Sequence, residues 1–275
     1  PPPTPPRRPP DPVKGNPVIQ LLPRQLPALS RWFPAAAPGP AALAEHALAT
    51  GTGQWWADRA VHPRTVAVRC GDHALLRGDP DALTAEDLTP LADCCIDAPD
   101  RFLPALGTAF DQVIPWERMV YTQRTSPTST PRLPWGVTLR RLTPEHAPAL
   151  AELGTDTAWI HGTWGGPTAL AASGLGWAAF HKDHILAVAC AHLLSSRYED
   201  IACVTVPEHR RQHLAIACVT ALCTDIAARG HTPSWSCSRD NRPSRLLAWT
   251  AGFRLEREYV HYVTGSPTRH DRLTA

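Results

Sequence analysis

The chain has 275 residues, enough for one large core or two smaller ones. Hydrophobic residues make up 43% and charged residues 19%, which excludes a disordered chain. A net charge of +2 gives nucleic acid or a membrane surface little to bind, and no apolar run approaches the roughly 20 residues a membrane helix needs.

Basic character is almost wholly arginine, the lysines being Lys14 and Lys182. With the abundance of alanine and proline, this bias points to a GC-rich bacterial genome. Residues 1–16 (PPPTPPRRPPDPVKGN) cannot bury apolar surface and are expected to form a disordered or extended tail, a polyproline ligand being the alternative. That stretch lacks the apolar core of a signal peptide, and beginning at Pro1 the chain is expected to lack its natural start. Cys70, Cys190, Cys203, Cys218 and Cys237 fall in apolar patterns and no CxxC occurs, as for buried thiols in a reducing cytoplasm.

Residues 17–125 form the first expected domain. Pro40–Thr50 reads as a helix stopped by Gly51-Thr-Gly53. Gln54–Asp58 and Arg64–Arg69 read as strands, the second turning through Gly71-Asp72 into His73–Leu76. Leu83–Ile96 is expected to be helical up to the break at Asp97-Ala-Pro-Asp100, and Phe102–Phe110 to be a further helix. Nothing here looks like a ligand loop, so a degenerate α/β partner domain is expected.

Residues 126–134 (SPTSTPRLP) read as the linker. In the second domain, 135–265, Val137–Leu142 alternates as a strand. Thr143 and Pro144 are placed as N-cap and N1 of a helix running to about Leu153. Trp159–Ala172 reads as a second helix, broken by Gly162 and Gly165-Gly166. Trp177–Phe180 and Ile185–Ala191 flank the turn His181–His184 as a hairpin, and Ile201–Val206 is a buried strand stopped by Pro207. The polar turn Glu208–Gln212 follows. Apolar residues at Leu214, Ala217, Cys218, Ala221, Leu222 and Ile226 then mark one helix face, closed by Gly230. Thr232–Cys237 is a short strand, Asn241 caps a helix ending at Gly252-Phe253, Arg254–Val263 is the last strand, and 266–275 is a tail.

A strand that feeds a basic turn into a helix N-terminus is an anion site, because the first helical N–H groups lack internal partners and Arg210 and Arg211 add charge. Neither GxxxxGK[ST] nor GxGxxG is present. The segment Val-Thr-Val-Pro-Glu-His-Arg-Arg-Gln-His-Leu-Ala resembles the coenzyme A pyrophosphate loop of the GCN5-related N-acetyltransferases. Their [R/Q]-x-x-G-x-[G/A] pattern reads here as Arg210-x-x-His213-x-Ala215, with His213 in place of the glycine. The Asn241–Phe253 stretch resembles the family's N-x-x-[A/S]…G-F segment, in the form of the bacterial two-half branch that includes zwittermicin-resistance-type acetyltransferases.

The resemblance implies a mixed sheet flanked by helices in the second half, an α/β (α+β) acyl-CoA N-acyltransferase fold. It further implies a cofactor site on Val204, Thr205, Val206, Arg210, Arg211, Gln212, His213, Leu214 and Ala215, with Asn241 and Ser244 nearby. Acetyl-CoA is the implied co-substrate, its acetyl group passing by direct attack to an amine of a small molecule or protein. A GNAT-fold binding module without activity, or transfer from a longer acyl donor, is the alternative. The family's usual proton-donating tyrosine is replaced by Ala248, which leaves Tyr259 and Tyr262 as guesses. Glu199, Asp200 and Glu208 are the candidate general bases. His209 and His213 lie four apart, but Pro207 places His209 ahead of the helix and no third ligand is evident, so no metal is expected.

Overall fold

The computed structural model describes residues 18–33, 37–126 and 131–268. The expected tail 1–16, residues 127–130 of the linker and 269–275 of the second tail lie outside them.

In chain order the first half contains β1 (Ile19–Gln20), α1 (Leu43–Thr50), β2 (Gln54–Ala57), β3 (Thr65–Cys70), β4 (His73–Gly78), β5 (Cys95–Asp97), α2 (Leu103–Ala109) and β6 (Val113–Gln123). The second contains β7 (Val137–Arg141), α3 (Ala147–Ala151), α4 (Pro167–Ser173), β8 (Gly176–His181), β9 (His184–Leu194) and β10 (Tyr198–Thr205). It continues with α5 (Leu214–Ala228), β11 (Thr232–Ser238), α6 (Arg242–Thr250) and β12 (Phe253–Thr264).

Two elements differ from the sequence reading. Leu83–Ile96 is not a helix but a 3-10 turn, Glu86–Leu91, followed by β5. Pro90 removes a helical donor, and the Asp87 carboxylate is taken by the N–H groups of Val18 and Thr84. The expectation also had no strand at Val113–Gln123, yet β6 is one of the longest. Pro115 and the exposed flank around it hide the alternation. In the sheet, Glu117 O accepts from Arg239 N, so odd residues of β6 point their backbone toward β11. Pro115 therefore lacks its N–H where β11 has already ended, and the ladder loses nothing.

Among the described residues all strands join one sheet, in the order β1-β2-β3-β4-β5-β12-β6-β11-β10-β9-β8-β7. The order is a pseudo-two-fold. β4–β5 and β10–β11 are its parallel pairs, and the last strand of each half crosses into the other. Thus β12 separates β5 from β6, and β6 separates β11 from β12. At the centre β6 and β12 run antiparallel from Val113↔Thr264 to Gln123↔Phe253.

Alternation along β10 assigns the faces. Ile201 and Cys203 pack with α5, α6, Trp235 and Cys237, whereas Ala202 and Val204 pack with Leu150, Ile160 and Leu170 from the α3–α4 side. Helix α5 is apolar nearly all round because both the sheet and α6 cover it. Its Leu222, fully buried, contributes about 1.5–3 kcal/mol.

Candidate active site

Strands β10 and β11 pair from Tyr198↔Thr232 to Ile201↔Trp235 and then part. Beyond that rung β10 continues to Thr205 against β9 alone, and β11 continues to Ser238 against β6 alone. The backbone groups along the gap follow from parity. Val206 N donates to Leu186 O of β9 at 2.9 Å, so Val204 also bonds β9, while Cys203 and Thr205 turn their N–H and C=O into the gap. Likewise Arg239 N donates to Glu117 O of β6 at 3.0 Å, so Ser236 and Ser238 face the gap from the other wall. The two strands thus part into a wedge, with Cys203 and Thr205 turning their peptide groups into it from one wall; on the other, Ser238 O already accepts from Asn241 N at 3.1 Å.

At the mouth of the wedge lies the turn 207–213. Val204, Thr205 and Val206 are half-buried, and Arg210, Arg211 and His213 are exposed. Arg211 (φ 62°) and His213 (φ 61°) are left-handed, whereas Arg210 (φ −67°) is not. Arg210 itself is extended (ψ 161°), so the turn enters α5 through two left-handed residues. His213 is the N-cap of α5, and its side chain makes no capping bond, so the first N–H groups of this 15-residue helix have no side-chain partner. A histidine tolerates the left-handed region better than most residues, which is how it occupies a place where the resemblance called for glycine. Among the described residues, no acidic side chain pairs with Arg210 or Arg211.

On the sheet face opposite α5 the parting strands carry a buried carboxylate. Asp200 is 4% exposed and accepts hydrogen bonds from Ser234 Oγ (2.8 Å) and Ser236 Oγ (3.1 Å). Burial pushes its pKa up to about 6, against the opposing pull of the two hydroxyls and of Arg118 and Arg257. The segment before α1 covers this face closely. A Cβ on Gly39, which sits at φ 84°, would lie 2.8 Å from Val120 Cγ2 and 3.1 Å from Ser236 Oγ. Tyr259, on β12 opposite Arg118 of β6, shares the face; its hydroxyl is buried near Arg118 and Ser236 without a well-formed hydrogen bond, and burial pushes its pKa up to about 12. Helix α1 is tied to the segment ahead of α4 at the same side, through His46 Nε2 and Thr163 O (3.0 Å) and through Thr52 Oγ1, which donates to Thr163 O (2.9 Å).

The remaining candidates are placed as follows. Glu199 is fully buried and engaged by Arg229 Nε (3.0 Å), Arg229 Nη2 (2.7 Å) and His231 Nδ1 (2.8 Å), a network that ends α5 away from the gap between β10 and β11. Glu208 is exposed in the turn. Tyr262 donates to Asp100 Oδ1 at 2.7 Å and packs in the first half's core. Asn241 Oδ1 accepts from Ser244 N (3.0 Å) as the N-cap of α6, and Ser244 Oγ accepts from Trp235 Nε1 (3.0 Å). Ala248 is buried under α6. Cys218 and Cys223 are buried, and burial pushes the Cys218 thiol up to about 12 and Cys223 upward too, as expected of structural thiols. His209 and His213 form no group of three potential metal ligands with any other described residue.

The sequence profile of the family described as GNAT acetyltransferase matches residues 39–262. An N-acetyltransferase from the mutA 5′ region of Streptomyces virginiae is 58% identical over 215 residues, 78% of this chain and 90% of that protein. The N-acetyltransferase YdfB of Bacillus subtilis is 27% identical over 139 residues, about half of each chain. Among solved structures, a GCN5-related N-acetyltransferase-like protein from Streptococcus suis superposes with a TM-score of 0.70 at 18% identity, covering 88% of this chain and 98% of that one. A tandem GNAT protein from the clavulanic acid biosynthesis pathway gives 0.59 at 15% identity over 92% and 99%. At those identities the structures show shared fold alone. The profile and the Streptomyces relative show more: this chain belongs to the GNAT acetyltransferase family, the N-acetyltransferases that acylate an amine.

Proposed function

We propose that the chain transfers an acetyl group from acetyl-CoA to an amine of a small molecule or protein by direct attack in a ternary complex. The observation that carries the reading is the wedge between β10 and β11, with a basic turn and the uncapped N-terminus of α5 at its mouth. The pyrophosphate would lie on the 210–215 backbone, with Arg210 and Arg211 adding charge. The pantetheine amides would pair with Cys203 and Thr205, one of whose N–H groups would polarise the thioester carbonyl.

The amine would arrive from the face that carries Asp200. As its nitrogen bonds the carbonyl carbon and the C–S bond breaks, the nitrogen's proton would pass to Asp200, directly or through water. The thiolate would take a proton from the Tyr259 hydroxyl, the buried phenol on that face, with Arg118 opposite it to stabilise the phenolate left behind. Holding both reactants in one geometry would supply the larger part of the rate gain.

The same reading assigns distinct roles to residues 17–125 and 135–265. The first half's β4-to-β5 connection is two 3-10 turns, Pro80–Ala82 and Glu86–Leu91, where the second half has the long α5. The first half then serves as a partner that caps the acceptor face. All eight cysteines are free thiols, which fits a cytoplasmic setting.

The test is release of free CoA thiol from acetyl-CoA across a panel of amines, with longer acyl-CoAs as competitors. Amine-dependent release from acetyl-CoA supports the proposal. Binding of acetyl-CoA without release for any amine favours the inactive module, and preference for a longer chain favours the other acyl donor.

A further inference from the structure

The centre of the sheet holds a cluster that the acetyl-transfer reading does not use. His73 of β4 and Cys95 of β5 are direct partners, and Val263 of β12 is opposite Cys95. His261 lies two residues from Val263 and so on the same face. One side-chain donor atom from each of His73, Cys95 and His261 lies within 4.8 Å of the other two. His261 is 3% exposed, and neither Nδ1 nor Nε2 has a hydrogen-bond partner. A buried imidazole with both nitrogens orphaned is rare, because each unpaired polar atom costs about 1–3 kcal/mol.

We propose that His73, Cys95 and His261 bind one divalent transition-metal ion, zinc foremost, which ties β4 and β5 of the first half to β12 of the second. Two imidazoles and one thiolate are a borderline-soft donor set suited to tetrahedral zinc, with a fourth position left for water or another group. Tetrahedral zinc at about 2.0–2.3 Å from its ligands keeps donor atoms about 3.5 Å apart, so side-chain rotation of about 1 Å closes the site. His73 Nε2 is 3.5 Å from Asp72 Oδ1, which puts a carboxylate beside the ring.

The surrounding charges bear on the choice of ligand. Arg77 is engaged by Asp97 (2.9 Å), and Arg257 donates to Pro38 O (3.3 Å) and lies over the Tyr259 ring. Arg118, stacked over Trp116 at 4.3 Å, faces the cluster with its Nε unpaired. These cations oppose a bare dication, and Asp72 with the Cys95 thiolate offsets them. Burial, aided by those arginines, keeps both imidazoles neutral, the form that ligates. Burial also raises the Cys95 thiol to about 11, so the thiolate forms only when the metal replaces its proton.

The inference is independent of acetyl transfer, and its test needs no substrate. The full-length chain, without a histidine tag, is loaded with zinc, desalted and assayed for metal by mass spectrometry. A parallel sample is titrated with cobalt and followed by absorption. The expected results are about one zinc per chain, thiolate-to-cobalt charge transfer with tetrahedral d–d bands, and a melting temperature lowered by chelator. Cys95→Ser and His261→Gln should lose the bands and the chelator response, whereas Cys203→Ser keeps them. Should His261→Gln not fold, Cys95→Ser and the wild-type spectrum decide the matter. A wild type that retains no zinc and shows no cobalt bands overturns the proposal, as does metal binding that Cys95→Ser leaves intact.

Discussion

Asp200→Asn should make the protein more stable and less active. The carboxyl is buried and its pKa stands at about 6 against an ordinary 3.8. About two units of upward displacement correspond to about 3 kcal/mol of preference for the protonated form in the folded state. The sign follows from proton binding. Between pH 4 and 6 the folded chain holds a proton that the unfolded chain has lost, so stability falls as pH rises through that window and is flat above it. Asparagine keeps the shape and still accepts from Ser234 and Ser236. The difference in urea unfolding free energy between variant and wild type should therefore be near zero at pH 4 and grow by up to about 3 kcal/mol by pH 7. Acetyl transfer should fall by about 10²–10⁴ in kcat/KM, and the wild-type profile should rise through about pH 6 as the base ionises. An Asp200→Asn enzyme with unchanged kcat/KM and no gain in stability at pH 7 would refute both the buried-acid argument and the assignment of the base.

Two further predictions concern backbone conformation. His213→Gly should raise the unfolding free energy by about 0.5–1 kcal/mol, since glycine adopts φ 61° without the left-handed penalty. Its acetyl-CoA affinity by calorimetry should change less than about threefold, an RT-scale effect; a gain of an order of magnitude would mean that the imidazole obstructs the turn. Gly252→Ala should cost about 2–4 kcal/mol, because at φ 86° its Cβ would lie 1.8 Å from Thr125 O, a backbone atom at the end of β6's connection. Chemical denaturation measures that loss, and a cost below about 0.5 kcal/mol would show that the turn relaxes freely.

What the sequence disclosed was local. The run from Ile201 to Ala215 carries strand, stop, basic turn and helix within a few residues, and the structure has β10, the turn and α5 there. Asn241 as N-cap and Gly252 with positive φ are equally short-range decisions. What escaped was non-local. Strand β6 gains its place from β11 and β12, more than a hundred residues away, and Pro115 masks its pattern. The surroundings of Asp200 depend on Ser234 and Ser236 pointing away from Trp235 and Cys237. Two serines alternating with large apolar residues in a short strand were the available signal. His73, Cys95 and His261 have no common spacing, and only the exchange of last strands between the halves brings them together.

If residues 210–215 at the mouth of the wedge hold the coenzyme, calorimetric titration of the wild type with acetyl-CoA should show micromolar binding, about −8 kcal/mol, weakened by at least tenfold in the Arg210→Ala, Arg211→Ala double variant. Absence of binding to the wild type, or equal binding by both proteins, would contradict it.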